Sequence, residues 1–431
     1  MRFLHATDDN QRRKGASGRT GSGAAGDAPA RIGALDGFRA LALLGVVTVH
    51  LLGASGVFTR FEGTGTDVAI WTVFGNSIDV FFIISAFVLF LPVVRRGGAF
   101  GAKRPFWVGR AARLLPAFWL VLAIIVLLTA VKPPSPGYAS PSLVELIANG
   151  ATMQLPVQLL DQGFRIGFGI NGPLWIISIV VTFYLVLPFI ARSWNRHPWL
   201  WLAASAALTI AWKQTIDWAP GVFEAVSNGT PQFVREIAVD QFPAWAFSFG
   251  LGMTGAWAFV RARERWSTAE LRRGAMIAAP FVLLAYLFTC WQFGRYSLTV
   301  PGNMTPEARM DTVLGLGQST ARAAAMGVIV LGPLWLQRPF GNRVTRKVSD
   351  LSYGVYLIHW VIVIYAVSYL DLPRDGTLPA FAAWMGLVLP LALVYSAISR
   401  RWFEVPARRW IERRLRRSPA AGSAGGAAVR T

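Results

Sequence analysis

Residues 70–93 read IWTVFGNSIDVFFIISAFVLFLPV, and Asp79 is the only charged side chain among them. A helix needs about 20 consecutive, mainly apolar residues to cross the hydrocarbon core of a bilayer. The stretch is long enough, and it lacks the apolar–polar alternation of a strand in a membrane β-barrel. It therefore predicts a transmembrane helix.

Nine other stretches of the chain have the same apolar character. Hydrophobic residues make up 54% of the 431 residues and charged residues 15%, with a mean hydropathy of +0.45. A soluble domain carries about 25% charged residues, because its surface must be wetted. The sequence therefore predicts an all-α, polytopic membrane protein with about ten transmembrane helices. The nine further spans are about 38–55, 114–131, 174–191, 199–213, 242–260, 275–293, 319–336, 351–369 and 379–399.

The distribution of basic residues predicts the orientation of these spans. If the N-terminus is cytoplasmic, 33 of the 42 Lys and Arg residues fall in cytoplasmic loops and tails, as the positive-inside rule requires. We therefore expect a multi-pass protein of the cell (plasma) membrane with both termini in the cytoplasm. Residues 1–30 are polar and rich in Gly, Ala and Ser, so they predict a disordered cytoplasmic tail. Residues 31–405 are the predicted transmembrane domain and 406–431 a basic cytoplasmic tail.

The net charge of +20 raises the question of a nucleic-acid partner. The most basic segment, Arg400–Arg417, follows the last span directly and carries Trp402 and Trp410 among its arginines. That pattern is typical of an amphipathic helix on anionic lipid, or of simple topological anchoring, and it does not favour nucleic acid. The expected partner is the lipid bilayer. The single cysteine, Cys290, excludes an intramolecular disulfide and a Cys-based zinc site, and no metal is expected.

Ionisable side chains inside the spans are candidates for function, because they are costly in lipid. Arg39 and His50 are eleven residues apart, so on a helix they share one face and lie about 16 Å apart along the axis. A guanidinium can hold a phosphate, and an imidazole can exchange a proton near neutral pH. The alternative is that Arg39 only anchors the helix and His50 only packs. The other candidates in or beside the spans are Asp79, Arg110, Arg113, Arg322 and His359.

Five segments of the chain resemble the signatures of the integral-membrane acyltransferase 3 family. They occur in the same order as in the family and cover about residues 31–405. The segments are LDGFRALALLGVVTVH (Leu35–His50), DVFFIISAFVLF (Asp79–Phe90), RAARLLPAFW (Arg110–Trp119), NGPLWIISIVVTFYLVLP (Asn171–Pro188) and LSYGVYLIHW (Leu351–Trp360).

The resemblance implies transfer of an acyl group, usually acetyl, from cytoplasmic acyl-CoA to a hydroxyl of a saccharide, lipid or secreted small molecule. It implies that His50 acts as general base or transient acyl carrier. Arg39, Arg110 and Arg113 would hold acyl-CoA (acetyl-CoA), although Arg110 and Arg113 could equally anchor their helix. Asp79 is a candidate carboxylate near His50. Further cavity residues are expected at Ser85, Trp175, Tyr184, Ser352, Tyr356 and His359, the last of which could also be purely structural.

Two positions depart from the family pattern. Val180 stands where the family usually has Glu, and Ala86 stands where it usually has Gly. The missing carboxylate keeps open the alternative of a catalytically inactive relative that binds acyl-CoA. Ten helices with polar residues within them also permit a transporter or flippase for an acylated or lipid-linked sugar. Any extracytoplasmic hydrolase-like activity is expected to come from a separate partner enzyme.

Overall fold

The computed structural model describes residues 32–75, 77–299 and 309–417, and over these ranges the chain is helical and contains no β-strand. The predicted tail at 1–30 and the last part of the predicted basic tail, from 418 onward, lie outside the described residues.

Ten helices of 19 residues or more account for most of the described chain. Each overlaps one of the ten predicted spans, in the same order. The helices are α1 (Ala34–Ala54), α2 (Ser77–Arg95), α3 (Lys103–Val131), α4 (Trp175–Arg196), α5 (Pro198–Trp218), α6 (Ala246–Arg265), α7 (Thr268–Thr299), α8 (Arg309–Leu331), α9 (Arg343–Tyr369) and α10 (Leu378–Ser399).

Eight of these helices are long and apolar enough to cross a membrane, counting only the described residues. The other two, α5 and α6, have 21 and 20 residues but are less apolar. Helix α6 buries most of its first three turns against other helices rather than exposing them. The prediction of an all-α, polytopic membrane protein is confirmed.

Shorter helices connect the long ones. Leu143–Gly150 begins with a capping box, in which Ser142 and Glu145 satisfy each other's backbone N–H groups. A last helix, α11 (Val405–Arg417), follows α10 after a π-helical turn at Arg400–Glu404. The remaining short helices are Val57–Arg60, Thr66–Ile70, Trp71–Gly75, Gln154–Leu160, Ile166–Gly169, Gly172–Leu174, Gly221–Glu224, Pro231–Ala238, Phe242–Trp245 and Leu334–Gln337.

Two helix contacts position the interior of the bundle. Helices α1 and α9 run parallel, because Asp36 lies 3.4 Å from Ser349 near their starts and His50 meets His359 further along both helices. Helices α2 and α6 approach closely at Gly252, where a Cβ would overlap the carbonyl oxygen of Ile83 and lie 2.7 Å from the Cβ of Ala86.

Candidate active site

His50 of α1 and His359 of α9 are joined by a hydrogen bond of 2.9 Å between Nδ1 of His50 and Nε2 of His359. The ring planes are 8° apart and the ring centroids 5.1 Å apart, so the rings meet edge to edge in nearly one plane. His359 is fully buried, whereas His50 is half-buried. The structure thus brings together two predicted site residues that are 309 positions apart in the sequence.

The hydrogen bonds of His359 decide where the protons lie in this pair. Its Nδ1 is 2.7 Å from the carbonyl oxygen of Tyr356, which can only accept, so Nδ1 must carry the proton. In the neutral ring, Nε2 is then an acceptor, and His50 must donate to it from Nδ1. The remaining nitrogen of His50, Nε2, is left with a free lone pair. The chain of bonds therefore presents His50 as a base through a defined nitrogen atom.

A short segment at the start of α4 holds the same part of α9 in place. The hydroxyl of Tyr356 donates to the carbonyl oxygen of Pro173, and Nδ2 of Asn171 donates to that of Leu357 at 2.7 Å. The ring of Trp360 lies 4.7 Å from that of His50. Asn171 and Trp360 were not predicted as site residues. Asn171 is the first residue of one quoted segment and Trp360 is the last residue of another, and both segments also contain predicted site residues.

Arg39 lies at the other end of α1, about 16 Å from His50 by the helical rise. Its side chain is 23% exposed and forms an ion pair with Asp36 at 3.9 Å. Helix α1 therefore presents a guanidinium near its start and an imidazole near its end, in the arrangement that the eleven-residue spacing predicts.

Arg110 and Arg113 lie near the start of α3, together with the predicted Tyr184. Arg110 is half-buried and lies over the ring of Phe106, which also contacts the ring of Tyr184 at 6.3 Å. Arg113 is exposed, within electrostatic range of Glu404. Arg39 is paired with Asp36 on α1, whereas Arg110 and Arg113 lie on α3 beside Phe106 and Glu404.

Asp79 does not meet His50 through any described hydrogen bond or ion pair. Its partner is Arg322 of α8, at 3.5 Å between Oδ2 and Nη1, and both side chains are nearly buried. Arg322 also makes two long hydrogen bonds, to the carbonyl oxygen of Thr72 at 3.3 Å and to Gln318 at 3.4 Å. Asp79 was expected near His50 because of its depth alone, whereas its side chain pairs with Arg322 of α8.

A carboxylate that the sequence did not single out, Asp240, lies near the turn of α9 that precedes His359. Asp240 precedes α6 and lies within electrostatic range of both Tyr356 and Lys213. Burial raises the pKa of Asp240 to about 7, although the nearby Lys213 acts in the opposite direction. Nothing in the sequence distinguishes Asp240 from the other acids of the connecting loops.

Residues 32–398 match the model of the acyltransferase 3 family, described as an acyltransferase domain. The chain belongs to this family. The prediction made from the five sequence segments is confirmed, and the histidine pair lies inside the matched region.

Three curated proteins are similar in sequence to this chain. The peptidoglycan O-acetyltransferase OatA of Listeria monocytogenes is 24% identical over 87% of this chain and 55% of its own length. Nodulation protein 10 of Rhizobium leguminosarum is 24% identical over 77% of the chain and 82% of its own length. A putative O-acetyltransferase of Staphylococcus aureus is 21% identical over 87% of this chain and 57% of its own length. The chain thus spans little more than half the length of the Listeria and Staphylococcus proteins. No solved structure matches it.

The remaining predicted residues of this acyltransferase 3 chain are spread over the bundle. Ser352 is buried and donates to the carbonyl oxygen of Ser349 at 2.8 Å, so its hydroxyl is already used. Trp175 packs against Trp245, with ring centroids 5.8 Å apart. Ser85 is half-buried on α2.

The two departures from the family pattern have different surroundings. Val180, at the position of the usual Glu, packs against the hydrophobic core. Ala86 lies in the close contact between α2 and α6, opposite Gly252. Among the described residues, no group of three or more His, Cys, Asp or Glu side chains is placed to hold a metal ion.

Proposed function

We propose that this protein is a membrane O-acyltransferase that moves an acetyl group from acetyl-CoA to a hydroxyl of a saccharide. The observation that carries the proposal is the buried histidine pair, which leaves Nε2 of His50 with a free lone pair inside a domain of the acyltransferase 3 family. The names of the Listeria and Staphylococcus relatives, which are O-acetyltransferases, support the acetyl group and the oxygen acceptor.

The proposed step uses His50 as the general base. Nε2 takes the proton of the acceptor hydroxyl while the hydroxyl oxygen attacks the thioester carbonyl carbon. The new ester C–O bond forms, the C–S bond of the thioester breaks, and the proton passes from His50 to the departing CoA sulfur. His359 does not touch the reacting atoms in this scheme. It fixes the tautomer and the orientation of His50, as a positioning residue.

The donor is proposed to enter from the end of the bundle that carries Arg39. Arg39, Arg110 and Arg113 would bind the phosphates of CoA, because guanidinium groups bind phosphate oxygens through paired, charge-assisted hydrogen bonds. In this proposal that end faces the cytoplasm, both termini are cytoplasmic, and the protein resides in the plasma membrane. The acetyl group then has to reach His50, about 16 Å along α1.

The test is release of free CoA from acetyl-CoA by the purified protein in nanodiscs. We expect His50→Ala and His50→Gln to lower the rate by about a hundredfold or more, the usual contribution of a general base. His197→Gln is the matched control, because His197 is an exposed histidine in the connection between α4 and α5. Unchanged release by both His50 variants in folded protein would exclude the proposed step.

Two other functions are outcomes of the same experiment. Binding of acetyl-CoA without release of CoA would indicate an inactive relative, and Val180→Glu should then restore release if the missing carboxylate is the cause. Movement of a lipid-linked sugar across proteoliposomes without any acyl donor would indicate a transporter.

A further inference from the structure

A small polar cavity lies between α2, α5, α6 and α8, apart from the histidine pair. Its volume is about 70 Å³, and its walls include Asp79, Lys213, Trp245, Thr312 and Arg322. Helix α2 passes the middle of α1, because a Cβ at Gly45 would overlap the side chain of Ser77. Asp79 lies two residues after Ser77, so the cavity is at the level of the middle of α1, between Arg39 and His50.

Unsatisfied polar atoms are concentrated around this cavity. Both carboxylate oxygens of Asp79, Nε1 of Trp245 and Oγ1 of Thr312 are buried and have no hydrogen-bond partner among the described residues. Buried polar groups are nearly always hydrogen-bonded, because an unmade bond there is costly. Four such atoms around one cavity indicate that a bound group completes their hydrogen bonds.

The chemistry of these atoms restricts what the bound group can be. The carboxylate of Asp79 only accepts hydrogen bonds, whereas the indole N–H of Trp245 only donates. An ionised phosphate would accept from the indole and would be attracted by Lys213 and Arg322, but it has no hydrogen to donate to Asp79. An ammonium group would satisfy Asp79 but could not accept from the indole, and it would lie beside Arg322. A hydroxyl both donates and accepts, so it can satisfy both residues.

The contacts of Arg322 leave room for such a group. Its contacts with Asp79, Thr72 and Gln318 are 3.3 to 3.5 Å long, beyond the usual range for a strong charge-assisted bond, and its guanidinium also lies beside Tyr286. The cavity holds about two water volumes, at roughly 30 Å³ each. It therefore fits a hydroxyl-bearing arm of a larger molecule, and not a whole sugar ring.

We infer that this cavity is the acceptor subsite, in which the buried Asp79 and Thr312 and the half-buried Trp245 bind a hydroxyl-bearing arm of a saccharide. The inference rests on the proposed O-acyltransferase function and adds the position of the acceptor. Asp240 lies within electrostatic range both of Lys213 in the cavity wall and of Tyr356, one helical turn before His359, so the cavity and the histidine pair share a neighbouring carboxylate. The ring of Trp245 lines the cavity and packs against the rings of Trp175 and Phe82.

The experiment uses the full chain in nanodiscs with acetyl-CoA, and methyl β-glucoside as the saccharide probe. The glucoside should stimulate release of CoA by the wild type. Trp245→Phe keeps the ring but removes the donor, so the half-saturating concentration of glucoside should rise about tenfold, the effect of one lost hydrogen bond. Trp201→Phe is the control, because its indole donates to Ser193 at 2.9 Å and it does not line the cavity. Equal half-saturation in the wild type and Trp245→Phe would overturn the inference.

A second measurement separates this inference from the proposed function. Methyl β-glucoside should raise the thermal unfolding temperature of the wild type and of Trp201→Phe, and should raise that of Trp245→Phe much less. This readout needs no turnover, so it tests the cavity even if the wild type releases no CoA. If the glucoside does not shift the unfolding temperature of the wild type, the cavity does not bind a saccharide hydroxyl and the inference fails.

Discussion

The pair His50–His359 and the pair Asp79–Arg322 are both polar contacts between helices, but they are built differently. The histidines are 2.9 Å apart, and the outer nitrogen of His359 is bonded to a backbone carbonyl group. Asp79 and Arg322 are 3.5 Å apart, and neither oxygen of Asp79 has a hydrogen bond among the described residues. A close pair that is also bonded to the backbone is fixed in one orientation, whereas a loose pair can admit a third group. The first arrangement suits catalysis, and the second suits binding.

The same chain can build a close ion pair where it needs one. Arg165 and Glu145 are joined by two hydrogen bonds, of 2.6 and 2.9 Å, in the long connection between α3 and α4. The looseness of Asp79–Arg322 is therefore a property of that site and not of ion pairs in this protein generally.

The largest expected effect comes from breaking the histidine pair. His359→Leu removes the acceptor for Nδ1 of His50, so His50 loses its fixed tautomer, and CoA release should fall by about a hundredfold or more. His359→Gln still offers an oxygen to Nδ1 of His50 and should recover at least about tenfold of that loss. The measurement is kcat for CoA release, with the KM for acetyl-CoA nearly unchanged. Equal losses in both variants would mean that His359 only packs.

A second change tests the framework of the loose pair. Gly252→Ala should push α6 away from α2, because the new Cβ overlaps the carbonyl oxygen of Ile83, and it should lower the free energy of unfolding by about 3 kcal/mol. Gly255→Ala is the control, since its Cβ would only touch Phe87 at 3.7 Å. Unfolding of both variants in detergent measures the difference. Equal stability of the two would contradict the close approach of α2 and α6.

A third prediction compares the close ion pair with the loose one. Glu145→Gln should lower the free energy of unfolding by about 2 kcal/mol at pH 7, because it weakens a buried, charged hydrogen-bond pair. Asp79→Asn should cost less, since the carboxylate of Asp79 makes no described hydrogen bond. Denaturant unfolding of both variants checks this order, and a larger cost for Asp79→Asn would reverse the comparison.

The pH dependence of Glu145 gives the same prediction a second readout. Burial raises the pKa of Glu145, but hydrogen bonds from Arg165 and Ser142 more than offset this, so its pKa is lowered in the folded protein. The stabilisation is therefore present above the ordinary Glu pKa of about 4.3 and is lost as the pH falls through the lower, folded value. The difference between wild type and Glu145→Gln should shrink only below about pH 4. A difference independent of pH would mean that charge is not involved.

The smallest expected effect concerns two tryptophans. The indole N–H of Trp194 donates to Thr254 at 3.1 Å, whereas that of Trp245 is unsatisfied among the described residues. Trp194→Phe should therefore lower the free energy of unfolding by about 1 kcal/mol, and Trp245→Phe in the absence of saccharide should not lower it. The same unfolding assay measures both, and a cost for Trp245→Phe equal to that for Trp194→Phe would mean that its N–H is already bonded.

The sequence predicted the helices well because each one depends on a local property. Apolar runs mark the positions of α1 to α10, although α3 and α9 begin 11 and 8 residues before the predicted spans at 114 and 351. The early turns of α3 carry Arg110 and Arg113. A hydropathy window leaves such charged residues out of a predicted span even where the helix includes them. The short helices between the spans were not predicted, because segments of three to eight residues give too weak a signal.

The site was predicted in part, and the missing part is the pairing between helices. Helical periodicity placed Arg39 and His50 on one face of α1, and Tyr356 and His359 on one face of α9. It could not show that these faces meet, because nothing local connects residues 309 positions apart. For the same reason, the sequence named Asp79 and Arg322 as separate candidates but could not show that they pair.

The bond between α1 and α9 also has a consequence for the order of events during synthesis. His50 is synthesised before His359, which is added 309 residues later, roughly 15 to 60 seconds at ordinary translation rates. During that time His50 has no His359 to fix its tautomer. Its proposed role as a base therefore begins only when the ninth helix has been inserted, so an unfinished chain in the membrane should not acylate the hydroxyl groups around it.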